Sequence, residues 1–335
     1  MGPSMRRITC RFFCLAVLAA PHVSGQALEP VTLVLQWQHQ AQFAGYYMAL
    51  FKNFYAQQGL DMRLLRGGAD VRPSELLQSG KADFGSLMLS TALEERAMSV
   101  PVVHLAQVVN RGNFLLVAWR EPGEGGAIHA LSDLNGRRVS VWGGDFRAPY
   151  LALFASRDVK PIILPQYISF SLFLHRGAAA FAAMRYNEYH TLLQNGVSED
   201  DVLVFPLHDY GIRLPEDGLY CLEDTWRKRE RACRAFVRAS LEGWRYARDH
   251  TEETLDVVMG YVEKDQLPTN RMHMRWMLKE MISSIFPDRS GQWTEGCLSR
   301  EAYNDALKIL TQHANLQSCP DFDSFVVKSE SNGAP

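Results

Sequence analysis

Short apolar runs alternate with stretches of helical period along most of the chain. Residues 31–36 are apolar enough for a strand buried on both faces, and a 3.6-residue period follows over 43–57. A second strand is predicted at 61–66. Pro73 opens a short helix, and third and fourth strands are predicted at 82–87 and 100–109. Residues 114–119 are apolar as well. The Gly-rich polar loop Glu121-Pro-Gly-Glu-Gly-Gly126 then interrupts the pattern. It restarts with strands at 138–142, 161–165, 179–184 and 202–205, and helices at 146–156, 170–175 and 188–195. After Glu223 only helical periods remain, at 231–248, 252–262, 271–285 and 301–313. Strand–helix alternation predicts parallel sheets covered by helices on both faces. Periodicity alone supports an α/β protein of one or two domains.

The first 27 residues read differently. Arg6, Arg7 and Arg11 form a basic start, residues 12–20 an apolar run, and Val23-Ser-Gly-Gln-Ala27 a small-residue cleavage region, which is the pattern of an export signal. The run falls short of the roughly 20 residues a membrane span needs, although an uncleaved anchor is the alternative. Its removal leaves 32 basic against 37 acidic residues, a net charge of about −5. Neither nucleic acid nor an anionic membrane surface is suggested by that balance. With 47 % hydrophobic residues the chain can bury large cores, and it is expected to split into two lobes.

Export changes the meaning of the cysteines. Four of the six remain after cleavage, Cys221, Cys233, Cys297 and Cys319, and in an oxidising compartment four allow three pairings. The preferred pairing is Cys297 with Cys319, which flank the helix predicted at 301–313; buried free thiols are the alternative. No Cys-x-x-Cys spacing is present, so no metal site is expected.

The candidate chemistry gathers at strand ends. Trp37, Phe43, Tyr46 and Tyr47 lie at or after the end of the first strand, where open α/β sheets bind ligands. Trp37 and Phe43 are assigned to the ligand, whereas Tyr46 and Tyr47 suit core packing equally. Gln40 and Gln42 each carry a donor and an acceptor, suited to ring nitrogens and amines, and Gln40 is taken as a contact. Ser86 and Asn110 end the third and fourth strands as rim contacts or as caps. Trp142-Gly143-Gly144 joins a strand to a helix: the amides of Gly143 and its neighbour offer a cradle, or simply a tight turn, and Trp142 offers a second ring wall opposite Trp37. Tyr186 and Glu188 form the sharpest polar candidate, with Asn187 as a helix cap, and Tyr210 is a hinge-side contact. The chain contains no Gly-x-Ser-x-Gly elbow, His-Glu-x-x-His helix or phosphate-binding loop, so no catalytic residue or cofactor is assigned.

Two segments carry a resemblance. Leu35-Gln-Trp-Gln-His-Gln-Ala-Gln-Phe43, running on to Asn53-Phe-Tyr-Ala-Gln-Gln-Gly-Leu-Asp61, and Ala183-Met-Arg-Tyr-Asn-Glu188 resemble, in order, the opening and second-lobe pocket segments of the thiamine-pyrimidine-synthase-like family of type II periplasmic binding proteins. Gly80-Lys-Ala-Asp-Phe-Gly85, Asp133-Leu-Asn-Gly-Arg-Arg-Val139 and Phe236-Val-Arg-Ala-Ser-Leu-Glu-Gly-Trp244 extend it as scaffold. The resemblance implies two α/β lobes with a ligand cleft between them. The first is discontinuous, 28–120 and 211–327, the second is 121–210, and a polar tail follows at 328–335. It further implies a monomeric, exported solute-binding component of an ABC importer, with a membrane permease as partner and a thiamine-related aminopyrimidine or similar flat heterocycle as ligand. A sensor serving a membrane receptor shares these features. An enzymatic relative makes hydroxymethylpyrimidine phosphate by consuming a His of its own chain; here Phe43 stands at that position, His39 is out of register, and Cys221 stands alone where that enzyme has a cysteine cluster. The export pattern predicts a mature chain that begins between residues 25 and 29. N-terminal sequencing of the exported protein is the check, and a chain starting at Met1 would instead identify an anchor.

Overall fold

The computed structural model describes residues 27–328 apart from 124, 288–293, 315, 317 and 319. The export segment through residue 26, the proposed partner Cys319 and nearly all of the 328–335 tail lie outside the described residues. The first part of the chain runs β1 (Glu29–Val34), α1 (Ala44–Phe51), α2 (Phe54–Gln57), β2 (Leu60–Leu65), α3 (Pro73–Gln78), β3 (Phe84–Met88), α4 (Leu89–Ala97) and β4 (Val102–Gln107). The middle runs β5 (Phe114–Trp119), β6 (Arg138–Trp142), α5 (Ala148–Ser156), β7 (Ile162–Gln166), α6 (Ser171–Leu174), β8 (Ala180–Met184), α7 (Glu188–Gln194) and β9 (Val202–Pro206). It returns through β10 (Asp217–Leu222) to α8 (Glu223–Asp249), α9 (Thr251–Lys264), α10 (Arg271–Ile285), α11 (Arg300–His313) and α12 (Phe322–Phe325).

Two five-stranded sheets result, in the orders β2-β1-β3-β10-β4 and β7-β6-β8-β5-β9. Every residue of β3, β4, β5 and β8 is buried, as continuous apolar runs should be when helices cover both faces. Neither sheet is all parallel, contrary to the pattern-based expectation. β10 runs antiparallel between β3 and β4, and β5 runs antiparallel between β8 and β9. Each of these strands follows directly from a crossing and so enters its sheet reversed.

That arrangement corrects the expected lobe limits. β5 belongs to the second sheet, so the first crossing lies at 108–113, before residue 120, and the Gly-rich loop at 121–126 sits within the second lobe. The helix expected over 43–57 breaks at Asn53, whose φ of 61° is left-handed. The helix expected from residue 231 instead starts at Glu223 and bends at Arg229, whose guanidinium is held by Glu29, Asp83 and the carbonyl of Pro30.

The two crossings run side by side. The Gln107 side-chain amide donates to the carbonyls of Val109, Glu216 and Asp217 at 3.0, 3.2 and 3.1 Å. The approach leaves no space for a side chain at Gly112, where a Cβ would lie 2.6 Å from the Leu214 carbonyl oxygen. α1 and α8 meet as closely, because a Cβ on Gly243 would fall 2.1 Å from the Gly45 carbonyl oxygen and 2.7 Å from the Ala49 Cβ. Gly243→Ala is expected to lower stability by about 1–3 kcal/mol through overpacking against backbone. Gly260→Ala, at an exposed helical position with nothing within 4 Å, is expected to raise it by about 0.5–1 kcal/mol. Urea denaturation of the two variants tests both signs.

Candidate ligand cleft

Two acidic residues occupy the joint between the lobes. Glu216 ends the second crossing and Asp217 begins β10, and both are buried, at 0 and 2 % exposure. A carboxylate without water needs donors. Asp217 receives them from the β1–α1 loop: the Gln42 amide donates at 2.8 Å, and the Gln36 amide donates to its other oxygen. Glu216 accepts the Asn113 backbone N–H and, at 3.2 Å, the Asn113 side-chain amide, whose oxygen in turn accepts the Ser284 hydroxyl at 2.9 Å. Burial outweighs these donors. It pushes the Asp217 carboxyl up to about 7 and, helped by the charge of Asp217, the Glu216 carboxyl up to about 8.

The second lobe presents Tyr186 to this pair. Burial raises its phenol well above the ordinary value, and the charges of Glu216, Asp217 and Glu188 act in the same direction, which brings the four groups into one neighbourhood. Tyr150 lies beside them, its hydroxyl donating to the Leu115 carbonyl at 3.1 Å, with Trp142 and Phe114 packed on its ring at centroid distances of 6.0 and 6.1 Å and Phe146 in turn against Trp142 and Phe114 at 6.1 and 6.3 Å. Carboxyl groups walled by aromatic rings suit a flat ligand that carries hydrogen-bond donors.

Glu188 continues the polar group outward. Its carboxylate accepts the Met184 N–H and the Asn187 amide, both at 2.9 Å, while burial raises its pKa. The Asn187 oxygen lies 3.1 Å from His273 Nε2, and His273 Nδ1 lies 2.8 Å from His190 Nδ1. With Asn187 oriented by the carboxylate, His273 must donate from Nε2 and accept at Nδ1 from His190. Glu188, Asn187 and His190 belong to the second lobe and His273 to α10 of the first, so this chain of bonds spans the seam. Trp276 closes it from the same helix, stacking on His190 at 4.7 Å and donating its indole N–H to the Arg185 carbonyl at 3.0 Å.

A family model described as NMT1/THI5 like matches residues 40–254. The chain belongs to that family. It is 25 % identical over 252 residues to the formylaminopyrimidine-binding protein of Halalkalibacterium halodurans, covering 72 % of this chain and 74 % of that one. It is 24 % identical over 262 residues to the riboflavin-binding protein RibY of Chloroflexus aurantiacus, covering 75 and 72 %. A yeast 4-amino-5-hydroxymethyl-2-methylpyrimidine phosphate synthase matches over only 82 residues, 24 % of each chain, at 29 % identity. In fold the chain is similar to the periplasmic aliphatic sulphonate binding protein SsuA of Escherichia coli, with a TM-score of 0.66 at 14 % identity over 89 % of this chain and 97 % of that one. The fold is that of a type II periplasmic binding protein with two α/β lobes.

Within this family fold the expected contacts divide. Tyr186 lies within the electrostatic reach of the acidic joint, Glu188 bonds Met184 and Asn187 beside it, and Ser86 reaches the joint indirectly, its hydroxyl oxygen accepting the Gln36 backbone N–H at 3.3 Å. Gln40 donates to Gln42 at 2.5 Å and so supports the Asp217 shell. Trp142 packs beside Tyr150, and Gly143 is exposed before α5. Trp37 is half-buried and packs against the core from the first lobe, as Trp142 does from the second lobe. Phe43 is wholly buried core, Asn110 bonds only the Val108 carbonyl at 3.4 Å, and Tyr210 packs on Phe205 and Arg157 within the second lobe. Asn187 does not cap α7 with its side chain, which is committed to the seam. His39, the histidine nearest the expected reactive position, is buried and bonds the Tyr47 hydroxyl at 2.9 Å. Pattern reading missed Glu216, Asp217, Asn113, Tyr150, His273 and Trp276. Leu214-Pro-Glu-Asp-Gly218 has the composition of a surface turn, and the only contrary signal is the apolar Leu219-Tyr-Cys-Leu222 immediately after it.

The two seam histidines are expected to make the contact between the lobes depend on pH. Burial, with the charge of His190, lowers the His273 pKa to about 4 from an ordinary 6.5, and burial lowers that of His190. A histidine held neutral in the closed form contributes fully above 6.5, and that contribution is lost as pH falls toward 4, a change of about 3 kcal/mol for His273. The ligand-free protein should therefore open on acidification from pH 7 to 4.5, seen as a larger radius of gyration in small-angle scattering, and His273→Gln should blunt the response. An unchanged radius in the wild type would contradict this role for the seam.

Proposed function

We propose that this chain is the exported solute-binding component of an ABC importer, and that it captures a planar nitrogen heterocycle bearing amino donors, of the aminopyrimidine class, by closing its two lobes. The observation that carries the reading is the buried acidic joint. Asp217 and Glu216 are buried within electrostatic reach of Tyr150 and Tyr186, where a carboxylate is costly unless it meets donors. The Gln36 and Gln42 amides stand on Asp217 where an exocyclic amine and a ring N–H would bind. Tyr186 and Trp142 from the second lobe and Trp37 from the first serve as apolar walls, with Gln40, Ser86 and Gly143 at the rim. Glu188 receives a further donor of the ligand and passes the contact to the seam. Relatives matched over most of their length are named as binders of a formylaminopyrimidine and of riboflavin, both nitrogen heterocycles, which supports this ligand class and a binding rather than a catalytic role. A membrane permease is the partner that would read lobe closure.

A donor ligand favours the charged carboxylates, so it must lower the raised pKa values and expel protons near pH 7. Titration calorimetry with an aminopyrimidine in buffers of different ionisation enthalpy should give a buffer-dependent heat, corresponding to roughly half to one proton released. Asp217→Asn should weaken binding about tenfold to a hundredfold and shrink that release. A heat independent of buffer, or unchanged affinity in a folded Asp217→Asn protein, would defeat the assignment.

A further inference from the structure

The ligand cleft uses neither Cys221 nor Cys233, yet the fold brings them together. Cys221 lies near the end of β10 and Cys233 on the buried face of α8, and neither exposes any surface. The Cys233 thiol lies 3.9 Å from the carbonyl of Thr225, four residues past Cys221 at the foot of α8, and is near enough to Cys221 to raise that thiol's pKa. A lone buried thiol is ordinary core filling. Two buried side by side where β10 turns into α8 form a pair that a thiol–disulfide oxidant can join.

We infer that Cys221 and Cys233 form a structural disulfide when the chain folds in the presence of a disulfide donor, an inference that rests on the export reading for where such a donor is met. In the first step one cysteine, as thiolate, attacks a sulfur of the donor and expels half of it as a thiol. The second cysteine loses its proton and attacks the protein sulfur of the mixed disulfide, expelling the other half. One sulfur–sulfur bond forms in the protein as one breaks in the donor, and the donor takes the two electrons and two protons. Burial raises the Cys221 thiol pKa and denies access in the finished fold, so the exchange belongs to folding, before α8 closes over the sheet.

The bond ties α8 to the strand whose other end carries Asp217, and so braces the acidic joint from behind. Cys297 is the competing partner, since it lines the same shallow concavity beside α8 as Cys233. The full chain, reduced and unfolded, is refolded in a buffer of oxidised and reduced glutathione, blocked with an alkylating agent, digested and analysed by mass spectrometry. The expected result is a Cys221–Cys233 linked peptide pair, lighter by two hydrogens than the free peptides, with a melting temperature that falls by roughly 5 °C on reduction. Alkylation of both thiols, or linkage of Cys233 to Cys297, overturns the inference. Protein recovered from its own cells with both thiols reduced, while the refolded chain is linked, would overturn the export reading and leave the pair standing.

Discussion

Burying two adjacent carboxyl groups where the second crossing enters the first sheet is the constraint from which much of this structure follows. Glu216 and Asp217 are shut away from solvent, so two separate segments must deliver donors to one point: the β1–α1 loop through Gln36 and Gln42, and the first crossing through Asn113. Gln107 holds the crossings together by their carbonyls, and the N–H groups of Val108, Val109 and Glu216 pair the two segments directly. Removing any one donor leaves a charge or a dipole stranded in a low dielectric, the costly half of a buried polar network. The loop that resembles a ligand-binding signature is thus also part of what holds the hinge.

A second polar chain lies beside the joint. From Glu188 a continuous path of donors and acceptors passes through Asn187 to His273 and His190, with Trp276 stacked over its end. A change in the charge of the Glu188 carboxyl alters how firmly Asn187 is oriented, and with it the tautomer that lets the two imidazoles share a proton. On the proposed function, contact with a bound solute and contact between the lobes would be expressed through one set of side chains, and that coupling would give closure its differential free energy.

Most of the layer architecture was legible in the sequence because its central strands are continuous apolar runs and its covering helices keep a clean period. The strand 82–87 and the helices from 252 onward were read to within a few residues of their positions. What was not legible has two physical causes. Antiparallel entry of β5 and β10 depends on where the chain crosses, which no local pattern records, so β5 was assigned to the wrong lobe. The acidic residues were hidden for the opposite reason: Pro215 to Gly218 has turn composition, and only the tertiary fold places it inside. In the site itself, Tyr186 and Glu188 were visible as a motif, but their partners Asp217, His273 and Trp276 lie 30 to 90 positions away and were recognisable only once α10 was docked against α7.

Placing β10 between β3 and β4 has a consequence for how the molecule is made. Until residues 217–222 are available, the first sheet is missing an interior strand, and β3 and β4 each present an unpaired edge inside a half-built core. No contiguous fragment ending in the second lobe can complete the first, so an emerging chain has nothing stable to collapse into until the whole second lobe has been synthesised. Contacts of such long range form slowly. In the exported protein proposed above, this late-closing topology would delay compaction until the chain has crossed the membrane, with the drawback that the open edges need shielding from aggregation in the interval.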